Sequence, residues 1–164
     1  MVKDLIIIGA GGHGYVVYDV AKHLDYGQIF FLDDNAQNEY VMGSCSKVYT
    51  LNPSQYDVFI ALGNSKLREQ WIIKLQELGF NIPVIISKNA YIAEFVDIGF
   101  GTIICPGATV NANCKIMEGC IISANSVIDH NTIINKYCHI NCGAIVRSYQ
   151  NIMEHTKVDY KEVV

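Results

Sequence analysis

The 164-residue sequence has few of the features that mark membrane, secreted or nucleic-acid-binding proteins. Its apolar runs are short, and none approaches the roughly 18 residues that a membrane-spanning helix needs. Lysine and arginine together number 12 against 16 acidic residues, so the net charge is −4 and no basic block is available for nucleic acid. The first apolar stretch is too short, and too soon followed by glycines, to be a signal peptide. These absences predict a cytoplasmic protein that has neither nucleic acid nor a membrane as its partner.

Charged side chains are also sparse, because only 17% of the residues are Asp, Glu, Lys or Arg whereas 51% are hydrophobic. A chain of this length forms one ordinary domain or two small ones, and this composition supplies ample apolar surface for their cores. The six cysteines do not predict a disulfide framework, since thiols stay reduced in the cytoplasm.

The first half of the chain alternates strands with helices. Apolar runs that predict parallel strands occupy residues 5–8, 29–32, 58–62 and 84–86. One helix is predicted over residues 13–25, and a second begins with Ser65 as its N-cap. The residues of the second helix that should face inward are Leu67, Trp71, Leu75 and Leu78. The pattern predicts a half-Rossmann-like α/β unit over residues 1–86, with three or four parallel strands and an irregular stretch over 35–54.

The second half of the chain has a strict six-residue period. One β-branched residue recurs at every sixth position: Ile92, Ile98, Ile104, Val110, Ile116, Ile122, Ile128, Ile134, Ile140, Val146, Ile152, Val158 and Val164. A mostly small residue follows four positions after each of these, from Val96 to Ala144. One large and one small inward position in each hexad predict a left-handed parallel β-helix over residues 87–164, with three hexads in each coil.

The repeat also bears on the cysteines of the second half. Cys114, Cys120 and Cys138 occupy the small inward position, where a thiol packs as a compact apolar group. Cys138, His139 and Cys142 have a spacing that would also suit a metal ion. Because such ligation would displace the core of the β-helix, we favour the core interpretation and predict no metal site.

A glycine-rich loop, Gly9-Ala-Gly-Gly-His-Gly14, joins the first strand to the first helix. Its spacing fits the dinucleotide fingerprint, but NAD binding needs a second mononucleotide half, and here a β-helix follows instead. The loop predicts phosphate binding by backbone N–H groups at a helix N-terminus, where His13 would add a side-chain donor. The glycines would equally serve a tight turn between strand and helix.

Two further strand ends carry polar residues. Asp33 and Asp34 end the second strand, where their carboxylates would accept hydrogen bonds from a ribose or a base, or would form an ordinary turn. Gly63 and Asn64 follow the third strand, at the sheet edge where α/β proteins bind ligands, and would equally form a turn and a helix cap. Both pairs are candidate substrate contacts.

The order of these motifs resembles one family. A unit that begins I-I-I-G-A-G-G-H-G, continues with F-L-D-D and A-L-G-N, and is followed by hexapeptide repeats containing V-I-D-H is similar to the bacterial nucleotide-sugar and sialic acid O- or N-acetyltransferases. Members include N-acetyltransferases of amino sugars linked to UDP. The resemblance covers nearly the whole chain. It implies acetyl-CoA as the co-substrate and a homotrimer whose active sites lie between subunits, and it implies that Gly11, Gly12 and His13 hold the nucleotide part of a UDP-sugar.

His130 falls outside the inward positions of the repeat, so its imidazole should face a groove. A neutral imidazole is suited to removing a proton from an acceptor at neutral pH. The resemblance assigns this general-base role to His130 in V-I-D-H, and it implies that Asn131 stands where an acidic residue orients the base. The competing interpretation is a surface histidine at a corner of the β-helix.

The resemblance also implies an acetyl-CoA site beyond the base. His139, which is followed by Gly143, corresponds to a histidine near the thioester, and Ser148 would supply an N–H group there. A histidine stacked along the coils is the competing interpretation of His139. Only 34 residues follow His130, where members of the family have about four coils. An abbreviated CoA site, a shortened gene product or a loss of catalysis would each account for this length.

We therefore predict an enzyme that moves an acetyl group from acetyl-CoA to an amino or hydroxyl group of a nucleotide-linked or sialic-acid-like sugar. A shortened, non-catalytic nucleotide-sugar-binding or assembly protein of the same fold is the second hypothesis. An NAD-linked enzyme is the third, and the missing second half-site disfavours it.

Overall fold

The computed structural model describes residues 2–164, and the chain divides into two compact units, Met1–Pro83 and Val84–Val164. The first unit alternates strands and helices, whereas the second is built from short strands at a constant spacing. This division follows the change of sequence period, because a period of six cannot support the helices that the first half forms.

The first unit is a four-stranded parallel sheet with two helices. Its elements are β1 (Asp4–Ile8), α1 (Gly12–Ala21), β2 (Ile29–Leu32), β3 (Val41–Gly43), a 3₁₀ helix (Cys45–Thr50), β4 (Tyr56–Ile60) and α2 (Ser65–Glu77). The strand order is β3-β2-β1-β4, and β1 lies between two parallel neighbours. The apolar residues Leu5–Ile8 of β1 are fully buried, as expected for a strand that is covered on both faces.

The inward face of α2 differs from the predicted one. Ile72 and Leu75 are buried, but Leu67 is 48% exposed and Trp71 is half-buried. Arg68 takes an inward position instead, where it is fully buried and its Nη1 donates to the carbonyl of Leu62 at 2.7 Å. The long side chain reaches the carbonyl groups that follow β4. Arg68 is therefore the inward residue in this turn of α2, whereas the apolar pattern predicted Leu67.

The fourth strand of this sheet also differs from the predicted one. The run Val84–Ile86 was expected to close the α/β sheet, but β5 (Ile85–Ile86) pairs with Ile103–Ile104 in the second unit. The place in the sheet is taken by β3, within the stretch that was expected to be irregular. A strand of three residues is too short to show a period in the sequence.

The second unit consists of two-residue strands that recur every six residues from β5 onward. They are β6 (Tyr91–Ile92), β7 (Asp97–Ile98), β8 (Ile103–Ile104), β9 (Thr109–Val110), β10 (Lys115–Ile116), β11 (Ile121–Ile122), β12 (Val127–Ile128), β13 (Ile133–Ile134), β14 (His139–Ile140), β15 (Ile145–Val146), β16 (Asn151–Ile152) and β17 (Lys157–Val158). They form three parallel sheets, ordered β16-β13-β10-β7, β17-β14-β11-β8-β5 and β15-β12-β9-β6. Each strand pairs with the third strand after it, so three hexads make one coil and the predicted left-handed parallel β-helix is confirmed.

The interior of the β-helix is a continuous stack of the repeating residues. The β-branched residues from Ile104 to Val158 and the small residues Ala108, Cys114, Cys120, Cys138 and Ala144 form one buried cluster. The thiols of Cys114, Cys120 and Cys138 each donate to a backbone carbonyl fifteen residues ahead, at 3.0, 3.1 and 3.0 Å. The core interpretation of these three cysteines is confirmed.

The corners of the β-helix share one backbone conformation. From Phe95 to Lys161, the second residue of each corner has a positive φ, whether it is Gly143 at 72°, Asn131 at 57° or Tyr149 at 61°. Side chains other than glycine and asparagine rarely adopt this conformation. Because this positive φ recurs every six residues whatever the residue type, it is imposed by the geometry of the β-helix corner.

Within residues 2–164, none of the helices is long and apolar enough to span a membrane.

Candidate active site

The candidate base lies at a corner of the β-helix. His130 is the first corner residue after β12, and its side chain is exposed. Asn131 follows it with a φ of 57°, and the left-handed turn brings the Asn131 side chain back toward the imidazole. The Nδ2 atom of Asn131 lies 2.8 Å from Nδ1 of His130. The outward orientation predicted for His130 is what the structure shows, and the imidazole is anchored through one of its two ring nitrogens.

The Asn131 contact bears directly on which ring nitrogen can act as a base. If the amide N–H₂ donates to Nδ1, the ring proton resides on Nε2 and that nitrogen has no lone pair to offer. If the carboxamide is rotated by 180°, its oxygen accepts from Nδ1–H and Nε2 becomes the free base. An asparagine supports both arrangements, whereas a carboxylate would support only the second.

Asp129 holds the backbone of the same corner. One carboxylate oxygen, Oδ1, accepts from the His130 N–H at 2.8 Å and from Nδ2 of Asn111 at 2.9 Å. These hydrogen bonds hold the pKa of Asp129 below its usual value, with the backbone N–H of His130 as the larger cause. Asn111 belongs to the coil below and was not predicted as a site residue. The repeat length could have identified it, because residues eighteen apart lie side by side in paired strands.

The coil above contributes Ser148 and Tyr149. The strand β15 pairs with β12, so the corner that follows it stacks on the corner of His130. The Tyr149 N–H donates to the His130 carbonyl at 3.2 Å, and the two rings have centroids 5.5 Å apart at an interplanar angle of 88°. The predicted residues His130, Asn131 and Ser148 therefore lie together on two stacked corners of the β-helix. Tyr149 lies beside them, although the sequence analysis did not predict it as a site residue.

His139 lies elsewhere on the β-helix. It begins β14, in a different sheet from β12, and its Nε2 is 3.1 Å from the hydroxyl of Ser123. Gly143 occupies the next corner along the chain, with a φ of 72°. The two histidines thus lie on different faces of one protomer.

The alternative metal site would need Cys138, His139 and Cys142 as ligands. The Sγ atom of Cys138 instead points into the core and donates to the Met153 carbonyl at 3.0 Å.

In the first unit, the glycines of the loop divide into two kinds. Gly9 has a φ of 101°, and a Cβ on Gly14 would lie 2.1 Å from the Gly9 carbonyl oxygen, so both positions require glycine for the strand-to-helix turn. Gly11 and Gly12 have no atom within 4 Å of the place where a Cβ would stand. The turn therefore explains only the outer glycines, and the inner two leave the N-terminus of α1 open to a ligand.

His13 stands in the first turn of α1 and is half-buried. Burial and then the nearby charge of Arg68 lower its pKa to about 4. The imidazole is therefore neutral at neutral pH, and it would meet a ligand as a hydrogen-bonding group and not as a cation.

Asp33 is fully engaged with the backbone. One oxygen accepts from the Ala10 N–H at 2.8 Å, and the other accepts from the N–H groups of Asn35 and Ala36, both at 2.8 Å. These three bonds hold the pKa of the carboxyl below its usual value, led by the one from Ala10. Asp33 thus ties the glycine loop to the end of β2. Asp34 is exposed and accepts from the Cys45 N–H at 2.9 Å.

Both aspartates border a cavity of about 280 Å³, which Asn38 and Ser44 also line.

Asn64 proves to be the N-cap of α2, because its side-chain oxygen accepts from the Leu67 N–H at 3.0 Å. The prediction of Ser65 as the cap is wrong by one residue. Gly63, just before the cap, is exposed and has open space around it.

A half-Rossmann-like unit followed by a left-handed β-helix, with an anchored histidine exposed at one corner, defines the class of hexapeptide-repeat acyltransferases. Residues 4–75 match the family model described as the PglD N-terminal domain. Over 98% of its length the chain is 33% identical to the acetyltransferase domain of PglB from Neisseria gonorrhoeae FA1090, of which it covers 82%, with a TM-score of 0.96. That domain has also been solved in complex with acetyl coenzyme A.

Two other solved structures show the same architecture. WeeI from Acinetobacter baumannii AYE is 25% identical with a TM-score of 0.90, and the match covers 99% of this chain and 80% of that one. Perosamine N-acetyltransferase from Caulobacter crescentus is 21% identical with a TM-score of 0.90 over 100% of this chain and 89% of that one, a likeness in fold. The chain therefore belongs to the hexapeptide-repeat sugar acetyltransferase family, as its motifs predicted, and it is an acyltransferase.

Proposed function

We propose that the protein transfers an acetyl group from acetyl-CoA to an amino or hydroxyl group of a nucleotide-linked or sialic-acid-like sugar, with His130 as the general base. The observation that carries this proposal is the exposed imidazole whose Nδ1 lies 2.8 Å from the Asn131 amide. A ring held at one nitrogen presents the other in a defined direction, which is what proton transfer to a positioned base requires. The complex of the PglB domain with acetyl coenzyme A supports the choice of acyl donor.

The reaction then proceeds in two proton transfers. Nε2 of His130 takes the proton from the acceptor nitrogen or oxygen as that atom attacks the thioester carbonyl, and a tetrahedral oxyanion forms. When the oxyanion collapses, the C–S bond breaks and the imidazolium returns the proton to the departing thiolate. Within residues 2–164 the Ser148 N–H donates to no acceptor, so it is available to the thioester oxygen on the coil next to the base.

The open N-terminus of α1 suits the nucleotide diphosphate of the acceptor. Backbone N–H groups point out of a helix N-terminus, and the bare positions at Gly11 and Gly12 let a phosphate approach them closely. Neutral His13 would add a hydrogen bond. Asp34 follows β2 and borders the cavity of about 280 Å³, and Gly63 follows β4 with open space around it, so both would leave room for a base or ribose. Asp33 and Asn64 would act indirectly, because their oxygens already hold backbone amides. UDP is the nucleotide we expect.

We further propose a homotrimer that works in the cytoplasm. His130 and His139 lie on different sheets of one protomer, so they would meet at a single thioester if one came from each of two neighbouring subunits. His139 and Gly143 would then contact the acetyl-CoA bound beside the neighbour's His130. All six cysteines are free thiols, the state that a reducing compartment maintains.

One experiment tests this function. Purified protein is titrated calorimetrically with acetyl-CoA, UDP and NAD, and acetyl transfer to UDP-linked amino sugars is followed by release of free CoA thiol. We expect acetyl-CoA and UDP to bind, and His130→Ala to lower kcat by about 10²–10⁴-fold while its affinity for acetyl-CoA stays close to that of the wild type. His23→Ala, which removes an exposed histidine of the first unit, is the matched control.

Three results would overturn the proposal. A fully active His130→Ala variant would refute the base. Binding of UDP without binding of acetyl-CoA would favour a non-catalytic sugar-nucleotide-binding protein of the same fold. Binding of NAD alone would refute both.

A further inference from the structure

Tyr149 has an unusual combination of side chain and backbone. Its φ is 61°, a conformation in which glycine and asparagine are at ease and a bulky aromatic residue is disfavoured. The side chain is 74% exposed, so burial of the ring in the chain's own core does not compensate for the backbone. The backbone conformation favours glycine at this corner, so any benefit of the aromatic ring lies in the contacts that it makes.

The contact that the ring makes is with the candidate base. The Tyr149 and His130 rings are 5.5 Å apart at 88°, an edge-to-face arrangement that is favourable between aromatic rings. The backbone reinforces the pairing, because the Tyr149 N–H donates to the His130 carbonyl at 3.2 Å. The coil above His130 therefore presents an aromatic ring to the imidazole from a fixed place.

The Asn131 contact at Nδ1 restrains rotation of the imidazole about the Cβ–Cγ bond, because Nδ1 lies off that axis. It comes from the edge of the ring, so it does not restrain movement of the imidazole perpendicular to the ring plane. A second ring packed at right angles blocks part of that motion. Two contacts, one at Nδ1 and one at the ring surface, define the direction of Nε2 far better than one.

From these contacts we propose that Tyr149 is a positioning residue for the reaction, which holds the His130 imidazole in the orientation for proton transfer. The inference rests on the proposed function of His130. It assigns to the aromatic ring, and not to the phenolic hydroxyl, the role of raising the fraction of molecules in which the base is correctly aimed.

Phe95 supplies a matched comparison within the same chain. It occupies the same kind of corner three coils below, with the same φ of 61° and an exposure of 79%. The coil directly below Ser148 and Tyr149 carries His130 and Asn131, because aligned residues are eighteen apart. Phe95 lies two coils further down, away from the imidazole. A change to glycine relieves the same backbone strain at both positions, but it removes an imidazole contact at only one.

The test compares Tyr149→Gly, Tyr149→Phe and Phe95→Gly. Glycine at a positive φ is favourable, so we expect both glycine variants to keep or raise the melting temperature. We expect Tyr149→Gly to lower kcat by about twofold to tenfold, the range of an aromatic pair contact, with the KM for acetyl-CoA unchanged. Tyr149→Phe should retain wild-type kcat because it keeps the ring, and Phe95→Gly should retain it because it is remote from the base.

A second measurement does not depend on turnover. In NMR spectra the carbon-bound protons of the His130 imidazole should shift in Tyr149→Gly, because the ring current of the tyrosine is lost, and should stay near their wild-type positions in Tyr149→Phe. If the wild type proves inactive, this measurement still decides whether the ring holds the imidazole, and only the proposed function of His130 fails.

The inference would be overturned by wild-type kcat in Tyr149→Gly, by an equal loss of kcat in Phe95→Gly, or by His130 resonances that do not respond to Tyr149→Gly. A loss of kcat that Tyr149→Phe shares would also overturn it, since the hydroxyl would then be the active group.

Discussion

The partner of His130 is an amide, and at the scale of single residues this is the feature with the largest consequence for chemistry. An amide orients the imidazole but does not neutralise the charge that the ring acquires when it takes a proton. It also permits both tautomers, of which only one leaves Nε2 as a base. Part of the population is thus expected in the unproductive tautomer.

Replacing Asn131 with aspartate removes this ambiguity. A carboxylate at that position can only accept from Nδ1–H, and its charge stabilises the imidazolium, so we expect Asn131→Asp to raise kcat by about twofold to tenfold. Aspartate tolerates the φ of 57° found here, so the fold should be retained. The measurement is the steady-state rate at saturating substrates.

Asn113→Asp is the control for this change. Asn113 has a φ of 61° in the corner directly below, where the preceding residue is Ala112 and not a histidine. An equal rise in both variants would show that added charge and not the Nδ1 contact is responsible. A fall of kcat in Asn131→Asp would contradict the tautomer argument.

At the scale of one element, the turn into α1 separates structural glycines from those available to a ligand. The helix begins at Gly12, and its N-cap residue, Gly11, has no side chain with which to cap the first N–H groups. Close packing explains Gly14, since a Cβ there would meet the carbonyl of Gly9. Among residues 2–164, no close packing accounts for a glycine at position 12, whereas a phosphate bound at the helix N-terminus would account for it.

The two glycines should therefore respond to alanine in opposite ways. Gly14→Ala forces a backbone overlap at 2.1 Å and should lower the free energy of unfolding by about 2 kcal/mol or more. Gly12→Ala meets no atom within 4 Å and should raise that free energy by about 0.5 kcal/mol, while weakening UDP binding by about tenfold. Urea unfolding and calorimetry measure the two quantities.

Unchanged UDP affinity in Gly12→Ala would show that the nucleotide does not approach this helix end. Gly11→Ala is a second variant of the same kind, because its Cβ position is equally open.

At the scale of the whole molecule, the three-sided β-helix separates the two histidines. β12 and β14 belong to different sheets, so His130 and His139 face different directions, and in the proposed trimer they would face different neighbours. A closed ring of three copies would bring unlike faces together at every interface. Each interface would then hold one complete site, with one histidine from each subunit.

Mixed oligomers test this arrangement. His130→Ala and His139→Ala should each be nearly inactive alone, but in equal mixtures that are unfolded and refolded together about a quarter of the interfaces combine an intact His130 with an intact His139. We expect about a quarter of the wild-type activity to return. No recovery, with mixed trimers shown by mass spectrometry, would place both histidines of a site in the same subunit.

Sequence reasoning predicted the repeating parts of the fold well and the single connections less well. The six-residue period predicted the β-helix and the buried cysteines, because each inward position repeats the same environment. It misplaced Ile85–Ile86, whose apolar character suits the α/β sheet and the β-helix equally. It also missed Arg68, since a charged residue inside a helix face is unexpected until its carbonyl partners are known.

The amino-acid sequence by itself determined the two-unit architecture, the outward position of His130 and the membership of the family, because these depend on local periods and on motifs in a fixed order. Only the tertiary structure decided what the polar residues do. The oxygens of Asp33 and Asn64 are occupied by backbone amides, and His130 is held by Asn131 within its own corner and contacted by Tyr149 from the next coil. Such contacts form between residues that the fold brings close together. A polar group pairs with the donor or acceptor that lies nearest in the folded structure, and the sequence alone does not show which one that is.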